Sequence, residues 1–279
     1  MGRVALLLLA LSVGDHDRRA GLDPSMKLGI TLSPPKGYGP PSDSSAATTR
    51  TVAMVHGHPQ TLRLYGDRGG RPAIVLSGDG GWIHLAPHIA EWLAAHGWFV
   101  VGVDSRAYLS SVTDDKHPLS VDDIPHDYSA FLSVAGGGGA KPLLVGVSEG
   151  AGLSVAAAAD PMLKSRVMGL ITVGLADRNE LAWHLRDAII YLTKGVPREP
   201  LFRATDLVAR VAPVPLAMLR STNDEYVPQE ESDRLIQRAR EPKASWTIPA
   251  VDHRFSNNLS EFDARLSDAI SWIASGRPH

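Results

Sequence analysis

Apolar and polar positions along the chain change their period twice. After a first apolar run, Val4 to Val13 ("VALLLLALSV"), the stretch from Asp15 to about Arg50 is rich in Pro, Gly and Ser. It has little periodic apolar content and predicts no packed element. "TVAMVHGHPQTLRLYGD" then alternates apolar and polar residues on both sides of Gly57-His58-Pro59, the pattern of an antiparallel hairpin. Beyond it the apolar positions become continuous in four runs of strand length: Ala73 to Gly78, Trp98 to Asp104, Pro142 to Val147 and Val167 to Leu175. Segments with helical spacing separate them, the plainest being "IHLAPHIAEWLAAHG", which ends in Gly97, a suitable C-terminal cap. Continuous apolar strands alternating with amphipathic helices predict an α/β fold, a mostly parallel central sheet covered by helices on both faces.

The alternation continues through "VPLAMLRS" (Val214 to Ser221), the polar helical stretch "QEESDRLIQRAR", a short strand around "ASWTIPA" and a closing amphipathic helix, "SEFDARLSDAISWIASG". Residues 176–212 are an insertion long enough for one or two helices, either a small cap over a site or an elaborated crossover. Within it Leu181, Trp183, Ile189, Ile190 and Tyr191 read as helix core, with a lipid-facing pocket as the alternative. The glycines Gly136 to Gly139 read as a loop; no Lys-Ser/Thr pair follows them, as a phosphate cradle requires.

Composition narrows this picture. A chain of 279 residues with 44% hydrophobic and 21% charged residues can bury a sizeable core in one domain. The net charge of -2 and the lack of a Lys/Arg run argue against nucleic acid as a partner. With no cysteine there is no disulfide, thiolate metal site or lipid-modified N-terminal cysteine. The compartment is therefore read from the N-terminus: Arg3, a short apolar core, and the small residues Ser12 and Gly14 form a signal-peptide pattern too short to span a membrane. The expected organisation is a signal peptide over 1–14, a leader or linker over 15–50 and a single domain over 51–279. The expected location is periplasmic or secreted; a buried first element in a cytoplasmic protein is the alternative.

"LLVGVSEG" (Leu143 to Gly150) carries the candidate chemistry. Glycines two residues before and after Ser148 let a strand turn sharply into a helix with the serine at the apex. A serine hydroxyl is a weak nucleophile until a base takes its proton, and a carboxylate must orient that base. Asp224 lies just past the strand "VPLAMLRS", and His253 follows the next strand in "TIPAVDHRF". Both fall at loops beyond carboxyl ends of strands, where sites in parallel sheets form. Glu225 and Asp252 compete with Asp224 for the acid role. Among the other histidines, none of which has metal-ligand spacing, His84 and His184 have the best reach to the mouth of the site. The oxyanion donors expected are the backbone N–H groups of Glu149 and of Asp79 in "LSGDGGW", with Gly80 the alternative to Asp79.

The order Ser148, Asp224, His253 with "SGDGGW" upstream resembles the α/β-hydrolases over roughly Val52 to Ile273. More narrowly, "LSGDGGW", "VVGVDSRAYL" and "GVSEGAG" resemble the VirJ-type bacterial virulence proteins. That resemblance implies an exported serine hydrolase, with aminoacyl-phosphatidylglycerol hydrolysis proposed for some members. The expectation is hydrolysis of carboxylic esters through an acyl-enzyme, needing no cofactor or metal. The substrate is a small-molecule or lipid ester, the latter bringing peripheral contact with a membrane. The alternatives are acyl transfer or thioester hydrolysis on the same residues, and a non-catalytic accessory protein that keeps the fold.

Overall fold

A computed structural model describes residues 49–276, except 115, 117, 137–138 and 185–199. The expectations for residues 1–48, and for Ile189, Ile190 and Tyr191, lie outside the described residues.

The hairpin comes first: β1 (Thr49–Val55) and β2 (His58–Tyr65) pair antiparallel, with Val55 opposite His58. Its turn is His56-Gly57, with φ of 51° and 79°, the doubly left-handed conformation of a two-residue hairpin. His58 and Pro59 already belong to β2. The four continuous apolar runs become β3 (Arg71–Leu76), β4 (Trp98–Val103), β5 (Leu143–Val147) and β6 (Gly169–Val173). A two-stranded antiparallel ribbon follows, β7 (Arg178–Glu180) with β8 (Leu201–Arg203). The last strands are β9 (Leu216–Ser221) and β10 (Lys243–Ile248). The main sheet has eight strands in the order β1-β2-β4-β3-β5-β6-β9-β10, antiparallel only where β2 meets β1 and β4.

Among the described residues the helices are α1 (Leu85–Ala95), α2 (Ser105–Val112), α3 (Ile124–Ala135), α4 (Glu149–Ala158), α5 (Pro161–Lys164), α6 (Ala204–Leu207), α7 (Gln229–Arg238) and α8 (Leu259–Ser275). Alternate residues of each central strand enter opposite layers, as the pleat requires. Ile74, Leu76, Val101 and Leu144 pack with α2, α3 and α4 on one face. Ala73, Val75, Val100 and Val145 pack with α1 and α8 on the other. Such a core explains why these strands read as unbroken apolar runs.

The helix after β5 is buried along its whole length and built of small residues, "EGAGLSVAAA". Close approach demands them: a Cβ on Gly150 would lie 2.4 Å from the Ser77 carbonyl oxygen, and one on Gly146 would lie 2.3 Å from the Gly150 carbonyl oxygen. The parallel strands present their carboxyl ends along one edge, and the loops there form the site. The described parts of the 176–212 insertion are the β7/β8 ribbon, α6 and a 3₁₀ turn over Val208–Arg210.

Candidate active site

Ser148 stands between β5 and α4 with φ 52° and ψ −118°, a strained conformation for a residue with a side chain, costing on the order of 1–3 kcal/mol. The Ser148 N–H donates to the Val173 carbonyl at 2.8 Å, fixing the elbow to the neighbouring strand. Glu149 opens α4, so its backbone N–H is one of the donors a helix start leaves without an intrahelical acceptor.

His253 is 8% exposed. Its Nδ1 lies 2.6 Å from Asp224 Oδ2, while the other carboxylate oxygen accepts the N–H groups of Tyr226 at 3.0 Å and Val227 at 2.9 Å. Burial would raise the Asp224 pKa; the His253 hydrogen bond and charge, and the two backbone donors, outweigh it and hold the carboxyl below its ordinary range. His253 Nε2 is buried and has no hydrogen-bond partner among the described residues. The Tyr226 ring meets the imidazole edge-on, 5.4 Å between centroids.

The competing carboxylates serve the backbone. Glu225 accepts the His253 N–H at 2.7 Å. Asp252 accepts the N–H groups of Arg254 and Ser256 and the Ser256 hydroxyl. Both shape the loop that carries His253, and neither touches its ring.

Gly78 to Gly81 form a tight turn, with Gly81 N–H donating to the Gly78 carbonyl at 3.1 Å. Asp104 holds the far end by accepting the Trp82 N–H at 3.2 Å. Trp82 itself is anchored by its indole N–H to the Tyr65 hydroxyl at 3.0 Å and lies on Gly102, where a Cβ would meet the ring at 2.4 Å. Asp79 and Gly80 are thus carried on a braced turn.

Ser148, Glu149, His253, Asp79 and Gly80 line one cavity of about 700 Å³, and Asp224 is bonded to His253 behind it. His84 lines it as well; burial and the charge of Arg254 lower its pKa. His184 instead lies 3.4 Å from Asp114 on the surface. Among the described residues no group of His, Cys, Asp and Glu could hold a metal ion.

A family model described as "Bacterial virulence protein (VirJ)" matches part of the chain, residues 71–187. The match includes the Gly78–Gly81 turn and Ser148 and stops before Asp224 and His253. Curated proteins yield no sequence match. Among solved structures, Est1E from Butyrivibrio proteoclasticus superposes with a TM-score of 0.60 at 14% identity, covering 81% of this chain and 99% of its own. Alpha/beta hydrolase GrgF from Penicillium sp. sh18 gives 0.59 at 16%, covering 82% and 99%. A membrane phospholipase A, titled a novel bacterial virulence factor, gives 0.60 at 12%, covering 82% and 87%. The fold is that of the α/β-hydrolases.

In this α/β-hydrolase fold several residues at the site carry no sequence signal of their own. Gly174, with φ 61°, sits against His253: a Cβ there would lie 2.3 Å from Cε1. Buried Asn179 packs on α4, where a Cβ on Gly152 would lie 1.9 Å from its Oδ1. The Glu149 side chain has work beyond its backbone, since its Oε1 accepts the Glu180 N–H at 2.7 Å and so joins the elbow helix to β7. Arg178, Arg203, Arg234 and Arg254 also line the cavity. They come from β7, β8, α7 and the histidine loop, and only the tertiary fold gathers them.

Proposed function

We propose that this protein is a serine hydrolase that cleaves carboxylic esters through an acyl-enzyme. The observation that carries the reading is the Asp224–His253 pair, whose buried Nε2 is left without a partner in the cavity that holds the strained Ser148. His253 Nε2 takes the Ser148 proton as Oγ bonds to the ester carbonyl carbon. The negative charge on the tetrahedral intermediate is met by the backbone N–H groups of Glu149 and Asp79, with Gly80 the alternative to Asp79. The carbon–alkoxide bond then breaks, and the leaving oxygen takes the proton from His253. In the second half a water gives its proton to His253 and its oxygen to the acyl carbon, and Ser148 recovers the proton as the acid departs. Asp224 keeps the ring oriented and stabilises the imidazolium in both halves.

The lining supports a small-molecule or lipid ester. Ile83, Leu85, Val147, Tyr226 and Val227 give one part of the cavity an apolar wall, and its size suits a ligand of that class. The family match over 71–187 agrees with the resemblance of "LSGDGGW" and "GVSEGAG" to VirJ-type proteins, and what that resemblance implies, an exported enzyme acting on lipid-linked esters such as aminoacyl-phospholipids, is the finer form of this reading. A panel of nitrophenyl esters of increasing acyl length, run beside aminoacylated phospholipid, tests the reading. Turnover that Ser148→Ala abolishes is expected; turnover that survives this substitution contradicts it.

A further inference from the structure

The cavity beside Ser148 is richer in guanidinium groups than a hydrolase of neutral esters needs. Arg178, Arg203, Arg234 and Arg254 line it, in a chain whose net charge is -2. Only one is consumed: Arg203 donates from Nε at 2.9 Å and from Nη2 at 2.6 Å to Asp177 Oδ2. Among the described residues none of Arg178, Arg234 and Arg254 has a carboxylate at ion-pair distance.

The acidic residues on the same wall are mostly engaged. Asp177 also accepts the Thr205 N–H, and Glu231 accepts the Asp177 N–H at 2.7 Å. Burial, with Glu180 and Asp79 nearby, pushes the Glu149 carboxyl well above the usual range, so it opposes the arginines little. Asp79 also lines the cavity, so with Glu231 it supplies the negative charge the arginines meet there. Such a wall raises the local concentration of anions and selects for them.

We propose that Arg178, Arg234 and Arg254 form an anion-binding subsite, so that the preferred substrates are esters bearing a phosphate or carboxylate away from the scissile carbonyl. This rests on the ester-hydrolase reading and adds a substrate class to it. The three guanidiniums are exposed, so each is worth only severalfold in water, and together about tenfold or more in kcat/KM. The preference weakens as salt screens the wall.

The test compares kcat/KM for the nitrophenyl monoester of glutaric acid, which bears a free carboxylate, with that of its neutral methyl-ester counterpart, in wild type and in the Arg178→Gln/Arg234→Gln/Arg254→Gln variant. The wild type is expected to prefer the anionic ester by about tenfold at low salt, and the variant to lose that preference. Equal kcat/KM for the two esters in wild type, or equal losses for both in the variant, overturns the subsite and leaves the hydrolase reading standing. Calorimetric titration of Ser148→Ala protein with hexyl phosphate reads the subsite without turnover. If neither ester is cleaved, the hydrolase reading falls and the titration still decides the subsite: binding lost with the three arginines supports it, no binding overturns it. Co-sedimentation with phosphatidylglycerol rather than phosphatidylcholine vesicles, also dependent on the arginines, assigns the anion to a lipid headgroup; hexyl phosphate binding without vesicle binding assigns it to a soluble ester.

Discussion

Adjacent carboxylates at 224 and 225 have different tasks because their side chains meet different parts of His253. Asp224 faces Nδ1, and Glu225 receives the backbone N–H of the same residue. Asp224→Asn therefore presents an amide where a charged acceptor must hold the ring, and is expected to lower kcat by about three to four orders of magnitude. Glu225→Gln keeps an acceptor for the His253 N–H and should cost far less. Steady-state kinetics on one nitrophenyl ester checks both; a larger loss in Glu225→Gln would reverse the assignment. The depressed Asp224 pKa means that its contribution to stability, present above the ordinary carboxyl value, is lost only as pH falls through a lower one.

Glu149 has the opposite sign. Burial, then Glu180 and Asp79, raise its pKa, while the Glu180 N–H bond favours the charged form and only partly offsets them. In the unfolded chain this carboxyl ionises near pH 4.3, at about the value of a free Glu. Its stabilising contribution is complete below that pH and erodes as pH rises through the folded value. Glu149→Gln keeps an acceptor for the Glu180 N–H and removes the ionisation. Its urea midpoint relative to wild type is therefore expected to increase from pH 5 to pH 8; a difference constant with pH would contradict the protonated, buried carboxyl.

At the scale of elements, β6 matters for the glycine that follows it as much as for its pairing. Gly174 adopts φ 61° and leaves room for the imidazole. Gly174→Ala adds a Cβ into the ring and strains the backbone, so it is expected to destabilise the fold by about 1–3 kcal/mol. Activity should fall at least tenfold further than the lost folded fraction explains, measured as turnover beside a thermal melt. A variant with wild-type turnover would show that His253 does not depend on this contact.

Legibility follows the same physics. Strands β3 to β6 and β9 were readable because both faces are buried, which removes polar interruptions. The β7/β8 ribbon was not, because three-residue strands carrying exposed Arg178 and Arg203 have no apolar period. Tertiary bonds hold it instead: Asp177 to Arg203, Glu149 to Glu180, Asn179 against Gly152. Ser148 was visible through the glycines its turn needs. Gly174 and the arginines were silent because each acts across a distance in sequence that no local pattern marks. The choice between Asp224 and Glu225 depended on side-chain direction in one loop, which adjacency in sequence leaves open.

At the scale of the whole molecule, the mostly parallel sheet with its two covered faces is what converts scattered residues into one site. The braced Gly78–Gly81 turn, the elbow, the Asp224 loop and the His253 loop leave the carboxyl ends of β3, β5, β9 and β10, with β6 lying between β5 and β9. Their spacing is set by strand pairing, with Val145 beside Ile171 and Leu219 beside Trp246. Among the described residues no helix is long and apolar enough to cross a membrane, and Ile83 and Tyr226, which line the cavity, are exposed. Every chemical claim nevertheless returns to one atom, Ser148 Oγ, and to whether His253 activates it. Incubation with a fluorophosphonate at neutral pH, followed by mass spectrometry of the peptides, tests this most directly. A single adduct on Ser148, formed slowly or not at all in His253→Ala, is the predicted result; no adduct, or an adduct on another residue, would contradict the account.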